Sequence, residues 1–151
     1  MGELGPAADA TDQRVDKLVR ALGDRNDKVR REAALAIGKV QTVPCVEAAV
    51  AHLASGEEQD AQTRFNLVLS IGQASADVLA LDSDAGAEMT TDSAVAVLAH
   101  VMKSDPNRYA RQYAMRSLER LADNHAMARR LLTRHLFGTH HCVLTTGDSQ
   151  F

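Results

Sequence analysis

The 151-residue chain has no Trp, and aromatic residues make up only 3% of it. That shortage argues against a β-sandwich, whose half-buried strands draw on Tyr, Phe, Thr and Ile. There are two cysteines, Cys45 and Cys142, far apart and in no CxxC spacing. A disulfide framework is therefore not expected, and a reducing, cytoplasmic setting is the default. No apolar run approaches the roughly 18 residues of a membrane span, and Met1–Pro6 has no apolar leader core. Position 6 is Pro6, where myristoylation would want Ser or Thr. No G-x-S-x-G motif and no glycine-rich phosphate loop occurs. The formal net charge is only −3, which gives no global attraction to nucleic acid.

What the chain does have is apolar residues, at 45%, supplied chiefly by Ala, Leu and Val. Ala and Leu favour helix. The charge is unevenly spread. Residues 55–105 hold nine acids and two bases, net −7, while residues 106–141 hold seven Arg against Glu119 and Asp123, net +5. The plainer reading is solvated helix faces of differing sign. The sharper one is a basic C-terminal face that meets an acidic partner.

Apolar spacings of three and four predict helices along most of the chain. The first follows a cap at Thr11-Asp12 and carries Val15, Leu18, Val19 and Leu22, with Gly23 in the left-handed position that ends it. Asn26 or Asp27 caps the second, with Val29, Ala33, Ala34, Ile37 and Val40. Pro44 suits the first turn of a third, which carries Val46, Ala49, Val50 and Leu53 and stops near Ser55-Gly56. Asp60 opens a fourth that is apolar nearly all round, from Phe65 to Gly72, so it is expected to be wedged between neighbours. Residues 75–81 extend it or form a short helix, and the acidic 82–91 stretch reads as a loop. A fifth helix runs from Asp92 to Lys103. Asp105-Pro106 reads as a cap followed by a first-turn Pro for the sixth, which runs to Ala122. Asn124 caps a last helix with Met127, Leu131, Leu132 and Leu136, ended by Gly138. Residues 1–12 read as a flexible lead-in, 13–137 as the helical domain with an insertion at about 75–93, and 138–151 as a flexible tail.

The segment Val29-Arg30-Arg31-Glu32-Ala33-Ala34-Leu35-Ala36-Ile37-Gly38 recurs 34 residues later as Thr63-Arg64-Phe65-Asn66-Leu67-Val68-Leu69-Ser70-Ile71-Gly72. A weaker third copy runs from Ala110 to Glu119, with Arg116 and Glu119 in place of Leu and Gly. One helix pair cannot bury both of its apolar faces, so a repeated pair implies stacking.

The pattern Leu18-Val19-x-x-Leu22-x-Asp24-x-Asn26-x-x-Val29-Arg30-x-x-Ala33-Ala34-x-Ala36-Ile37-Gly38 resembles the HEAT repeat, near the short variant of the bilin-lyase-type group. The resemblance covers about residues 13–123. It implies an all-α fold: a right-handed α-α superhelix, a HEAT- or armadillo-like solenoid of about three helix pairs with a C-terminal capping helix. It also implies a ladder in which a turn Asp and an Arg of the second helix of each pair bond between repeats. Carried over, the ladder residues are Asp24, Arg30, Arg64 and Arg111. The second copy has Ser55-Gly56-Glu57-Glu58 where the turn Asp is expected, so no ladder acid is assigned there.

The function that the resemblance implies is a non-catalytic protein-binding scaffold. Its partner would lie against the second helices, at Arg31, Asn66, Ser70, Tyr113, Arg116 and Arg120. The partner is another protein of unstated identity, with no cofactor and no catalytic residue assigned, and the acidic 82–92 stretch is a secondary edge. One alternative is an enzyme subunit or chaperone of the bilin-lyase type. Another is nucleic-acid binding through Tyr109, Tyr113 and the surrounding Arg108, Arg111, Arg116 and Arg120, against which the negative net charge argues. His135, His140, His141 and Cys142 have the ligand types of a zinc site, but a contiguous His-His-Cys rarely converges on one metal. No metal site is assigned. No His is followed by Glu, so the di-iron His-Glu pairs of HEAT-like hydroxylases are missing. Asp148-Ser149-Gln150-Phe151 loosely fits a C-terminal peptide ligand that adds to a sheet edge.

Overall fold

A computed structural model describes residues 6–77 and 85–147, with side chains at 10–73 and 91–138. These residues form seven helices and no strand: α1 (Pro6–Leu22), α2 (Asp27–Val40), α3 (Val43–Ala54), α4 (Ala61–Asp77), α5 (Ala85–Ser104), α6 (Arg108–Ala122) and α7 (Ala126–Gly147). No helix among them is long and apolar enough to cross a membrane.

Consecutive helices pack as pairs, α1 on α2, α3 on α4 and α5 on α6. Across the pairs, α2 packs on α4 and α4 on α6, while α1, α3, α5 and α7 make a second line of contacts. The apolar periodicity meets at this junction. Leu67, Val68 and Ile71 of α4 have no exposed surface, as expected of a helix apolar on two sides. Ile37, Val46, Leu98 and Leu118 complete the same core from α2, α3, α5 and α6.

Two glycines set the spacing of the α2, α4 and α6 line. A Cβ at Gly38 would stand 2.7 Å from Ser70 Oγ and 3.3 Å from Ser70 Cα. One at Gly72 would collide with Ser117 Oγ and stand 3.0 Å from Ser117 Cβ. Each glycine therefore faces a serine of the following pair, and the repeat of Gly along the chain is a repeat of one close helix contact. Ser70 Oγ uses that approach to donate to Ala34 O at 2.6 Å across the two helices.

Several boundaries differ from the expectations. Helix α1 starts at Pro6, not at a Thr11-Asp12 cap. Pro6 is compatible with a first turn, and the Ala-rich residues after it favour helix. Gly23 does not take a left-handed conformation; the turn closes with Gly23 N–H to Arg20 O and Asp24 N–H to Ala21 O. The left-handed positions are Gln41, which ends α2, and Gly56 after α3. Residues 85–91, expected in a loop, are helical because α5 begins at Ala85, so a run of Ala, Glu and Met follows its helix propensity. Residues 78–84 lie outside the described set. Helix α6 is capped by Asn107 rather than Asp105. At the start of α7 it is His125 Nδ1, not Asn124, that accepts from the Ala128 amide, at 3.4 Å. Gly138 does not end α7, which runs on to Gly147.

Candidate functional site

Each turn that leads into α2, α4 or α6 is built by the same three residues. An acid comes first: Asp24, Glu58 or Asp105. Two positions on is a cap, and its own amide donates to that acid: Asn26 N–H to Asp24 Oδ1 (2.8 Å), Asp60 N–H to Glu58 Oε1 (3.0 Å) and Asn107 N–H to Asp105 Oδ1 (2.8 Å). The cap side chain then accepts a first-turn amide, from Lys28, Thr63 or Tyr109. These bonds satisfy donors that a helix start leaves open.

Six residues after each acid is an arginine: Arg30, Arg64 or Arg111. Its Nη1 donates back to two carbonyls of the same turn. Arg30 reaches Asp24 O and Arg25 O at 2.8 and 3.2 Å. Arg64 reaches Glu58 O and Gln59 O at 3.0 and 3.1 Å. Arg111 reaches Asp105 O and Pro106 O at 2.6 and 3.1 Å. The guanidinium is thereby held with its other edge facing away from its own turn.

That other edge joins one pair to the next. Arg30 Nε and Nη2 donate to both Glu58 oxygens at 2.9 and 3.0 Å, a bidentate fork. Arg64 Nε donates to Asp105 Oδ2 at 2.9 Å. The acid side chains are nearly enclosed, at 2% exposure for Glu58 and 5% for Asp105. The unassigned ladder acid of the second copy is thus Glu58, and the acid of the third is Asp105. Residue type hides the equivalence, since Glu stands where the others have Asp. The constant acid-to-Arg spacing of six reveals it. A local version recurs before α7, where Arg129 donates to Ala122 O and Asp123 O.

The first acid and the last arginine differ from the rest. Asp24 is exposed and has no arginine partner among the described residues. Arg111 has no carboxylate partner among them either. It lines a cavity of about 440 Å³ with Met102, Arg108, Gln112, Met115 and His135.

Burial pushes the Glu58 carboxyl up, but hydrogen bonds from Arg30, His52 and the Asp60 amide outweigh that and hold it below the usual carboxylate range. His52 Nε2 lies 2.8 Å from Glu58 Oε2. The fork from Arg31, at 2.6 and 2.8 Å, lowers Asp60 well below its ordinary value, with bonds from Thr63 adding to the effect. A depressed carboxyl contributes stability that is present above its unfolded pKa and lost as pH falls towards the folded one. Urea unfolding should therefore show stability falling once pH drops below about 4. In Glu58→Gln the fall should be shallower. An equal slope in that variant would show that Glu58 is not one of the groups responsible.

The six expected contact residues divide in two. Asn66 and Ser70 are buried at 3% each. Asn66 Nδ2 donates to Arg31 O and Ser70 Oγ to Ala34 O, so both join α4 to α2 and neither is open to a partner. Arg31 is partly exposed but engaged by Asp27 and Asp60. Tyr113 packs edge-on against Phe65, with ring centroids 5.2 Å apart, and Arg116 lies 5.6 Å from its ring centroid. Arg116 and Arg120 are exposed. Tyr109 is exposed at 57%, with Arg108 at 5.4 Å from its ring centroid. On α6 the structure therefore sets Arg108 beside Tyr109 and Arg116 beside Tyr113, with Arg120 exposed one turn after Arg116.

Among the described residues, no three His, Cys, Asp or Glu side chains group to hold a metal. The side chains of His140, His141 and Cys142, and the Asp148–Phe151 end, lie outside the described set. Cys45 is buried in the core as a free thiol. Asp92, at the edge of the acidic stretch, lies 2.9 Å from His125 Nε2 and ties α5 to the start of α7. No protein-family model, curated protein or solved structure matches the chain.

Proposed function

We propose that the chain is a HEAT-like interaction module, a short solenoid of three helix pairs with α7 as its cap, that binds an acidic protein partner at its arginine-rich end. The repeated acid, cap and Arg of each turn support the repeat reading. The observation that carries the binding reading is the charge of α6 and α7. Seven arginines lie between Arg108 and Arg134, opposed only by Glu119 and Asp123. Arg116 and Arg120 stand exposed on α6 without a carboxylate partner among the described residues. A patch of one sign steers and orients a partner of the other sign. Base stacking on Tyr109 beside Arg108 is the second reading, favoured by that ring's exposure.

Affinity capture from native extract, with nuclease treatment as one arm, tests the choice. Captured proteins should be lost from Arg116→Glu/Arg120→Glu and survive nuclease, with the circular dichroism unchanged. Recovery of the same proteins by the charge-reversed chain would overturn the reading. So would a capture that nuclease abolishes.

A further inference from the structure

The end of the arginine ladder has the form of a receptor. We propose that Arg111, with Arg108 and Gln112, forms a carboxylate-binding seat that takes an Asp or Glu side chain from an acidic segment of a partner protein. This rests on the interaction reading above and names the group recognised at that end.

Arg30 and Arg64 each use Nη1 to hold their own turn and present Nε to the acid of the next pair. Arg111 makes the same two Nη1 bonds, to Asp105 O and Pro106 O. Its guanidinium is therefore pre-oriented as the others are, and pre-orientation lowers the entropy lost when a ligand binds. No next turn follows to supply an acid among the described residues. Arg111 instead lines the cavity of about 440 Å³. Arg108 adds a second cation, Gln112 an amide donor and His135 an imidazole, while Met102 and Met115 line it with apolar surface that suits the methylenes of an acidic side chain.

The same face explains why the acid would not come from a further packed helix pair. The glycine that meets a serine of the next pair is Gly38 in the first copy and Gly72 in the second. In the third the equivalent residue is Glu119, which is exposed. Glu119 occupies the glycine position whose Cβ alone would collide with a facing serine. At that position the face carries a charge where a stacked helix needs a small residue, which is how a terminal repeat is built. A second copy of the chain stacked end to end is thereby disfavoured. An acidic segment that reaches the seat without laying a helix on α6 fits.

The test uses the full chain labelled with ¹⁵N and follows the Arg Nε–H signals. The probes are a blocked hexapeptide with two adjacent glutamates, its glutamine counterpart, and acetate. The glutamate peptide should shift Arg111 Nε–H saturably and bind at least about tenfold more tightly than the glutamine peptide. Arg108→Gln, which leaves the turn bonds of Arg111 intact, should weaken it several-fold, and Arg111→Lys by about tenfold or more. Equal binding of the two peptides would overturn the proposal, as would shifts at Arg116 and Arg120 that leave Arg111 unmoved. Acetate binding as tightly as the peptide would overturn the assignment to a protein segment. If the seat fails while capture from extract still requires Arg116 and Arg120, the interaction reading stands without it.

Discussion

Replacing Glu58 with Ala should lower the unfolding free energy by about 3 kcal/mol, as when one partner of a buried ion pair is removed. The carboxylate is 2% exposed and is shared by four donors: Arg30 Nε and Nη2, His52 and the Asp60 amide. Its loss strands the Arg30 fork and loosens the α4 cap together. The value sits at the low end for such pairs because Arg30 keeps 17% exposure and some water. Asp24→Ala is the control. Asp24 holds the equivalent position in the repeat, but it is exposed and takes only the Asn26 amide among the described residues. Its removal should cost less than about 1 kcal/mol. Denaturant unfolding measures both. Similar costs for the two would mean that the joint between pairs contributes little, and the ladder would be decoration on the core.

That contrast also marks how far the sequence could be read. The helices were legible because apolar residues recur every three to four positions, and α4 was legible as an enclosed helix because both of its sides are apolar. The arginines were legible because Arg30, Arg64 and Arg111 hold one register. The acids were not. Glu58 was hidden by its extra methylene beside two aspartates, and Asp105 by the following Pro106, which made it look like a cap. In the sequence Asn66 and Ser70 look open to a partner because polar residues on a repeated helix suggest a wet face. They are short, however, and short polar side chains fit between close helices and satisfy carbonyls there. The start of α5 is hidden in the sequence because the acids and Gly86 around it look like loop composition, whereas Ala85, Ala87, Glu88 and Met89 favour helix. The open seat at Arg111 was beyond the sequence altogether. It becomes visible only when the partners of Arg30 and Arg64 are known.

The second large effect concerns that seat. Arg64 and Arg111 make the same bonds to their own turns, but among the described residues only Arg64 holds an acid, Asp105, whose side chain is 5% exposed. Arg64→Gln should leave that carboxylate uncompensated and cost about 3 kcal/mol. Arg111→Gln should lose only its turn bonds and cost about 1 kcal/mol. Urea unfolding of these two variants beside the wild type tests the account most directly, because it needs no partner. A ladder that joins the pairs and ends open at Arg111 predicts a gap of about 2 kcal/mol between them, with Arg64→Gln the less stable. Equal costs would contradict it, since Arg111 would then already hold an acid within its own chain.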